Sequence, residues 1–212
     1  MTATRPLVAA LEGPCCAGKT TLARLLTRRL GGFAVAFAAD YADHVGGGRF
    51  LPRQEAESVG EREQALRQLL AVETGRLTRV PPGTDLIVAD RSVHTMLAHS
   101  YALEVMTGTA FLAPSVRLLR GSPIPAWPEL VFYLDLPQEA VADRNHGKFP
   151  DGSIYTDPEF NAAIRSYFLR LADREAPRVT WLDAMLGPAE LARLAESQLR
   201  KMVARRYIQG AV

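Results

Sequence analysis

The chain has 212 residues, of which 48% are hydrophobic and 23% are charged, and its net charge at pH 7 is +2. This composition is that of an ordinary globular protein and excludes disordered and collagen-like chains. The near-balanced charge argues against nucleic acid as a partner. No uncharged apolar stretch approaches the roughly 18 residues of a transmembrane helix, so we expect no membrane partner. The length of the chain predicts a single domain over residues 1–212.

Five short apolar runs alternate with longer segments of helical periodicity, a pattern typical of βαβ units. The predicted strands cover residues 6–13, 33–40, 85–91, 129–136 and 178–184. The predicted helices cover residues 19–30, about 54–79, 92–107, 138–145, 158–175 and 188–206. The sequence therefore predicts an α/β fold, in which helices cover both faces of a doubly wound, five-stranded parallel sheet.

The strongest motif is GPCCAGKT at residues 13–20, between the first predicted strand and the first predicted helix. It fits the phosphate-binding pattern G-x-x-x-x-G-K-[ST], in which glycines let the backbone N–H groups point at phosphate oxygens. Lys19 is predicted to reach the β- and γ-phosphates, and the Thr20 hydroxyl is predicted to bind Mg²⁺. We therefore expect ATP and Mg²⁺ as cofactors. The nucleotide contacts predicted here are Gly13, Pro14, Cys15, Cys16, Ala17, Gly18, Lys19, Thr20 and Thr21.

The two cysteines, Cys15 and Cys16, lie inside this motif. Adjacent cysteines close a disulfide only with strain, so no structural bridge is predicted. Cysteine is small enough to fit where the backbone approaches phosphate, which favours a filling role over a redox role. The absence of a structural disulfide, together with the short apolar run LVAAL near the start of the sequence, predicts a cytoplasmic protein.

Polar residues close the second and third predicted strands, at the sheet edge where ligands bind in open parallel sheets. Asp40 ends the second strand and Asp43 follows it. Either carboxylate could accept a proton from an attacking hydroxyl, although Asp after a strand is also a common helix cap. Asp90 and Arg91 end the third strand. Asp90 is predicted to hold Mg²⁺, and Arg91 to lie over the transferred phosphoryl group.

Positive charge for the transferred phosphoryl group is also predicted in the segment after the fourth strand. P-loop enzymes commonly meet the developing charge with an arginine from a loop or lid. The phosphate loop contains no arginine, whereas Arg144 and Lys148 lie in the glycine-containing sequence ADRNHGKFPDG. We therefore predict that Arg144, and after it Lys148, contacts the nucleotide.

With these motifs in place, the chain resembles the thymidylate kinase family of P-loop kinases, from about Leu7 to Val203. DRSVHTMLAHS resembles the family's DR-x-x-x-S-x-LAYQ segment, and PELVFYLDLPQEAVADR resembles the strand and helix that enter its lid. FNAAIRSYFLRLA and VTWLDA resemble the helix after the lid and the last strand. The resemblance implies a P-loop kinase fold with a lid at about residues 144–157, and it places Ala184 near the nucleotide base.

The predicted acceptor site departs from the family's pattern. The sequence ADYAD stands where the family has an Arg-Glu-Pro loop, and the family's thymine-contacting arginine falls at about Thr74. His99 and Ser100 replace the Tyr-Gln of LAYQ. An acidic residue after the second strand instead resembles uridine-kinase-like and deoxynucleoside-kinase-like enzymes, which phosphorylate a free hydroxyl.

These observations predict an ATP-dependent kinase that phosphorylates a hydroxyl of a nucleoside or nucleoside-like small molecule. A nucleoside monophosphate kinase remains an alternative, because Arg49 or Arg53 could bind an acceptor phosphate. A nucleotide-binding protein without catalytic activity is a second alternative, and a homodimer is left open. The predicted acceptor contacts are Tyr41, Asp43, Arg53 and His99.

Overall fold

A five-stranded parallel sheet forms the centre of the molecule in the computed structural model, which describes residues 5–53, 55–124, 126–174 and 176–209. The strands are β1 (Leu7–Glu12), β2 (Val35–Ala38), β3 (Leu86–Asp90), β4 (Leu130–Asp135) and β5 (Arg178–Asp183). Their order in the sheet is β2-β3-β1-β4-β5, and every neighbouring pair is parallel. The predicted α/β fold and its five strands are therefore confirmed.

Eight α-helices surround the sheet in the described part of the chain. They are α1 (Lys19–Arg29), α2 (Tyr41–Val45), α3 (Val59–Thr78), α4 (Val93–Thr107), α5 (Leu112–Arg120), α6 (Gln138–Asn145), α7 (Pro158–Ala172) and α8 (Pro188–Gln209). Two short 3-10 turns lie at Gly48–Phe50 and Ile154–Thr156. The second turn falls within the segment predicted as a lid.

The hydrophobic core has a layer on each face of the sheet, because successive side chains of a strand point to opposite faces. Ala9 and Leu11 of β1 share one cluster with buried residues of α1 and α8. Ala10 of β1 and Tyr133 of β4 share another with buried residues of α3, α4 and α7. The three central strands, β3, β1 and β4, are buried almost throughout, as expected for a parallel sheet covered on both faces, whereas the edge strands β2 and β5 are partly exposed.

The structure corrects the predicted element boundaries at several places. Helix α3 begins at Val59 rather than about residue 54, because the Ser58 side chain accepts a hydrogen bond from the Glu61 N–H and caps it. Helix α7 ends at Ala172, and α8 continues to Gln209. Residues 54 and 175, the ends of two predicted helices, lie outside the described residues. Helices α2 and α5 were not predicted.

Parallel strands bring the carboxyl ends of β2, β3 and β1 side by side, which places the polar residues after them at one edge of the sheet. Buried Arg76 of α3 fixes this edge. Its guanidinium donates to the carbonyl oxygens of Ala39 at 2.7 Å, Asp90 at 2.9 Å and Arg91. Glu73 Oε2 lies 2.5 Å from Arg76 Nε, and its negative charge balances that of the guanidinium.

No helix among the described residues is long and apolar enough to cross a membrane.

Candidate active site

The phosphate loop connects β1 to α1 in a conformation that requires glycine at two positions. Gly13 has a φ of 131°, and a Cβ there would lie 2.5 Å from the Leu134 carbonyl oxygen. Gly18 has a φ of 88° and caps the N-terminus of α1. A loop of this shape points backbone N–H groups inward, next to the N-terminus of α1. These N–H groups and the positive end of the helix dipole together stabilise a phosphate group there.

Lys19 is the first residue of α1, and its side chain folds back over this loop. Its Nζ donates to the carbonyl oxygens of Pro14 at 2.6 Å and Gly13 at 3.1 Å, and the residue is only 6% exposed. Burial, reinforced by the positive charge of Arg91, lowers the pKa of Lys19 to about 8. The ammonium group is therefore held at the loop but has lost much of its hydration, a state in which a phosphate oxygen becomes a favourable partner.

Thr20 and Asp90 form an oxygen cluster next to the lysine. The Thr20 hydroxyl donates to Oδ2 of Asp90 at 2.5 Å. The other carboxylate oxygen, Oδ1, is buried and has no hydrogen-bond partner among the residues that the structure describes. Burial raises the pKa of Asp90. Hydroxyl and carboxylate oxygens are ligands that Mg²⁺ prefers, and the unpartnered oxygen fits a metal ligand.

Asp40 and Arg91 face each other across the ends of β2 and β3. Arg91 Nε lies 2.9 Å from Oδ2 of Asp40, and Asp40 Oδ1 accepts from the Ala42 N–H at 2.9 Å. Asp40 therefore caps α2 and pairs with Arg91 at the same time. Burial opposes ionisation of Asp40, but the Arg91 charge and the Ala42 N–H outweigh it and lower the pKa of the carboxyl group. A carboxylate in this setting stays ionised at neutral pH.

Glu12, the last residue of β1, is a buried carboxylate that was not predicted to belong to the site. It accepts from the Ser92 N–H at 2.9 Å, the Ser92 hydroxyl at 2.7 Å and the Thr95 hydroxyl at 2.5 Å. These bonds fix the first turn of α4 beside Arg91. The available signal in the sequence is an acidic residue that ends an apolar strand immediately before the phosphate loop.

One cavity of about 880 Å³ brings most of the predicted residues together. Those that line it are Cys15, Cys16, Gly18, Lys19, Thr20, Thr21, Asp40, Tyr41, Asp43, Arg53, Arg91, His99, Arg144 and Lys148. Asp43 and Arg53 are exposed at its rim, whereas His99 is buried. Phosphate-loop and acceptor candidates, which are distant in the sequence, thus share a single space.

Several predicted residues lie outside the lining of this cavity. Gly13 and Ala17 are buried on the side of the loop that faces the core. Pro14 lines a second cavity of about 550 Å³ between α7 and the ends of β4 and β5. Ala184 is 1% exposed, and its carbonyl accepts from Arg144 Nη1 at 3.1 Å. Its side chain belongs to the hydrophobic cluster that includes buried residues of α1 and α8.

Thr74, the position at which the resemblance placed the family's base-reading arginine, does not line the cavity. Thr74 lies on the exposed side of α3. The neighbouring helix positions that face inward are Glu73 and Arg76, and the Arg76 guanidinium lies 4.3 Å from the centre of the Tyr41 ring. Arg76, two positions further along α3, is thus the arginine of this helix segment that faces inward.

The segment after α6, predicted as the lid, contributes residues to the cavity next to the phosphate loop. Lys148 lies 5.5 Å from the centre of the Phe149 ring, and both residues line the large cavity. Tyr155, which was not predicted, also lines it, and its carbonyl oxygen accepts from the Cys15 thiol at 3.0 Å. Burial and the neighbouring Cys16 raise the pKa of Cys15 to about 11, so the thiol is protonated at neutral pH.

The sheet order and the helices on its faces define an α/β fold that is shared with a solved kinase structure. The solved structure of deoxyadenosine kinase from M. mycoides, with the products dCMP and a flexible dCDP bound, is similar to this chain with a TM-score of 0.66. The two sequences are 13% identical, and the match covers 92% of this chain and 100% of that one. No protein-family model matches the sequence.

Proposed function

We propose that this protein is an ATP-dependent kinase that transfers the γ-phosphoryl group to a hydroxyl of a nucleoside or nucleoside-like small molecule. The observation that carries the proposal is the Asp40–Arg91 pair at 2.9 Å, which lines the same cavity as Lys19 and Thr20. It places an ionised carboxylate and a cation beside the phosphate loop. The similarity of the fold to a deoxyadenosine kinase supports the same class of reaction.

Asp40 is the proposed base. Its Oδ1 is held by the Ala42 N–H and its Oδ2 by Arg91 Nε, so the orientation of the carboxylate is fixed from both sides. Because the carboxyl group is ionised, it can accept the proton of an acceptor hydroxyl as that oxygen attacks phosphorus. Asp43 is exposed and carries no comparable contact in the described structure, so Asp40 is the preferred of the two.

The remaining charged groups stabilise the phosphates. Lys19 and the loop amides are proposed to bind the β- and γ-phosphates, and Arg91, with Arg144 and Lys148 from the lid side, neutralises charge that develops on the transferred group. Thr20 and Asp90 would hold Mg²⁺, which supplies further neutralisation of phosphate charge when bound. The transfer breaks the bond from the γ-phosphorus to the β–γ bridging oxygen and releases ADP.

The acceptor part of the cavity suits a neutral ring. Its walls include Leu69, Met96, His99 and Tyr155. Burial and the nearby positive charges of Arg62, Arg91 and Lys19 lower the pKa of His99 well below its usual range, so its imidazole is neutral. Apolar and neutral aromatic walls favour a planar, uncharged ligand, and the carboxylates of Asp40 and Asp43 disfavour an anionic one.

The test is a panel of acceptors incubated with ATP and Mg²⁺. Separate reactions contain ribonucleosides, deoxyribonucleosides and the corresponding 5′-monophosphates, and product formation is followed by chromatography. We expect nucleosides to be phosphorylated at their hydroxyl and monophosphates to react at least about 30-fold more slowly, the effect of about 2 kcal/mol of charge repulsion. Robust turnover of monophosphates would instead favour a nucleoside monophosphate kinase, with exposed Arg53 as its phosphate contact.

A further inference from the structure

Two side-chain amides hold the lid turn Ile154–Thr156 in place. Gln138 of α6 donates through Nε2 to the Thr156 carbonyl at 2.9 Å. Asn161 of α7 donates through Nδ2 to the Tyr155 carbonyl at 3.3 Å and to Oε1 of Gln138 at 3.1 Å. The two amides therefore form one connected pair, which we term the amide clamp.

The clamped backbone is also bonded to the phosphate loop. The Tyr155 carbonyl that accepts from Asn161 accepts from the Cys15 thiol at 3.0 Å. A single carbonyl oxygen thus joins the phosphate loop, the lid turn and α7. This carbonyl is part of the same residue whose ring forms a wall of the cavity.

The orientation of the Tyr155 ring follows from this fixed backbone. Its centre lies 5.3 Å from the Phe149 ring and 6.0 Å from the His99 ring. His99 in turn packs edge-to-face on Phe160 at 5.1 Å, and Phe160 is adjacent to Asn161 in α7. The aromatic wall therefore rests on α7 at two points, through the Phe160 ring and through the amide of Asn161.

We propose that Gln138 and Asn161 are positioning residues that act on acceptor binding through Tyr155. This inference rests on the proposed function, because it takes the part of the cavity beside His99 and Tyr155 as the acceptor site. Neither amide lines that cavity, and both line the second cavity, beside α7 and the ends of β4 and β5. Their role is to hold the 3-10 turn in one conformation. The Tyr155 ring is then already oriented toward the acceptor site, so that acceptor binding loses little side-chain entropy.

The kinetic test compares Gln138→Ala and Asn161→Ala with a control on α7, the helix of Asn161. The control is Ser166→Ala, whose hydroxyl bonds, within the described residues, only to the Ala162 carbonyl of its own helix. With the best nucleoside from the panel, we expect KM for the acceptor to rise about tenfold in both amide variants, while KM for ATP changes less than twofold. In a Tyr155→Ala background, Asn161→Ala should have no further effect. Equal rises in both KM values, or effects that multiply in the double variant, would show a general structural role and overturn the proposal.

Hydrogen exchange provides a test that needs no activity. The Thr156 N–H donates to Ser153 and the Asp157 N–H to Ile154, and we expect both to exchange at least about tenfold faster in the amide variants but not in Ser166→Ala. Unchanged exchange would overturn the proposal. If the wild type phosphorylates no nucleoside, the proposed function is wrong and the acceptor role falls with it, while the exchange rates still decide whether the clamp holds the turn.

Discussion

Lys19 is the residue for which sequence and geometry agree most closely, and its replacement is the first prediction. We expect Lys19→Ala to lower kcat/KM for ATP at least about a hundredfold, the scale for one preorganised charged contact. The described structure gives this side chain only backbone carbonyls of its own loop as hydrogen-bond partners, so the Tm should change little. Lys201→Ala, on the exposed side of α8, is the control. Near-normal turnover in Lys19→Ala would refute the phosphate-loop assignment.

The protonation of Lys19 gives a second prediction. Its pKa of about 8 means that the nucleotide-free protein loses this charge as the pH rises through 8, well below the usual range of lysine. Because kcat/KM reports groups of the free enzyme, we expect kcat/KM for ATP to fall above about pH 8. Bound phosphate favours the protonated amine, so kcat should fall only at higher pH. A kcat/KM profile that stays flat to pH 10 would contradict this.

Asp40 gives the prediction that separates a base from a helix cap. Asn at this position keeps an oxygen for the Ala42 N–H but loses the negative charge that faces Arg91. We therefore expect Asp40→Asn to lower kcat at least about a hundredfold while the Kd for ATP, measured by calorimetry, changes less than threefold. Asp43→Asn serves as the comparison, since that carboxylate is exposed. If Asp43→Asn shows the larger loss of kcat, the roles of the two carboxylates must be exchanged.

The sequence predicted the residues of the candidate site best where they end a strand or directly follow it. Asp40, Asp90 and Arg91 were found because parallel strands carry their polar residues to one edge of the sheet. Charged residues that are buried within helices, such as Arg62 and Arg76, were missed. Helical charges are ordinarily expected to face solvent, and only the tertiary structure shows which carbonyl oxygens lie within reach of them.

At the scale of elements, α3 shows how one helix holds the site together, and Arg76 supports a fourth prediction. Its guanidinium bonds to carbonyl oxygens after both β2 and β3 and pairs with Glu73. Arg76→Met leaves the Glu73 charge buried and unpaired, so we expect a loss of about 3 to 5 kcal/mol in the free energy of unfolding, measured with urea. Arg79→Met, exposed at the end of α3, should cost less than about 0.5 kcal/mol.

Sequence patterns predict element boundaries and short helices poorly. Helix α2 has only five residues and exists because Asp40 caps it and the chain must turn after β2. A segment of that length contains too little periodicity to reveal a helix. Helix α5 carries Pro114 in its first turn, where proline is tolerated, but proline in a sequence is ordinarily a signal against a helix.

At the scale of the whole molecule, the strand count and the parallel arrangement could be predicted, but the order of the strands depends on contacts between distant segments. The order β2-β3-β1-β4-β5 sets β1 between β3 and β4, so the phosphate loop lies between the acceptor candidates after β2 and β3 and the segment after β4 that was predicted as the lid. The cavity that these residues share is a consequence of this order. No local pattern in the sequence contains that information, since each strand is an apolar run of similar kind.

Because the cavity is lined from both halves of the sheet, ligand binding should stabilise the whole fold, and Mg²⁺ should determine how strongly. A ligand at 100 times its Kd contributes about 2.7 kcal/mol, which corresponds to a Tm increase of roughly 5 to 10 °C for a domain of this size. We expect a non-hydrolysable ATP analogue to give such an increase with Mg²⁺ and less than half of it with EDTA. The Asp90→Asn variant should show the smaller increase under both conditions, because the buried oxygen Oδ1 that fits the metal has lost its charge. A Tm increase in the wild type that EDTA leaves unchanged would refute the assignment of Thr20 and Asp90 as metal ligands.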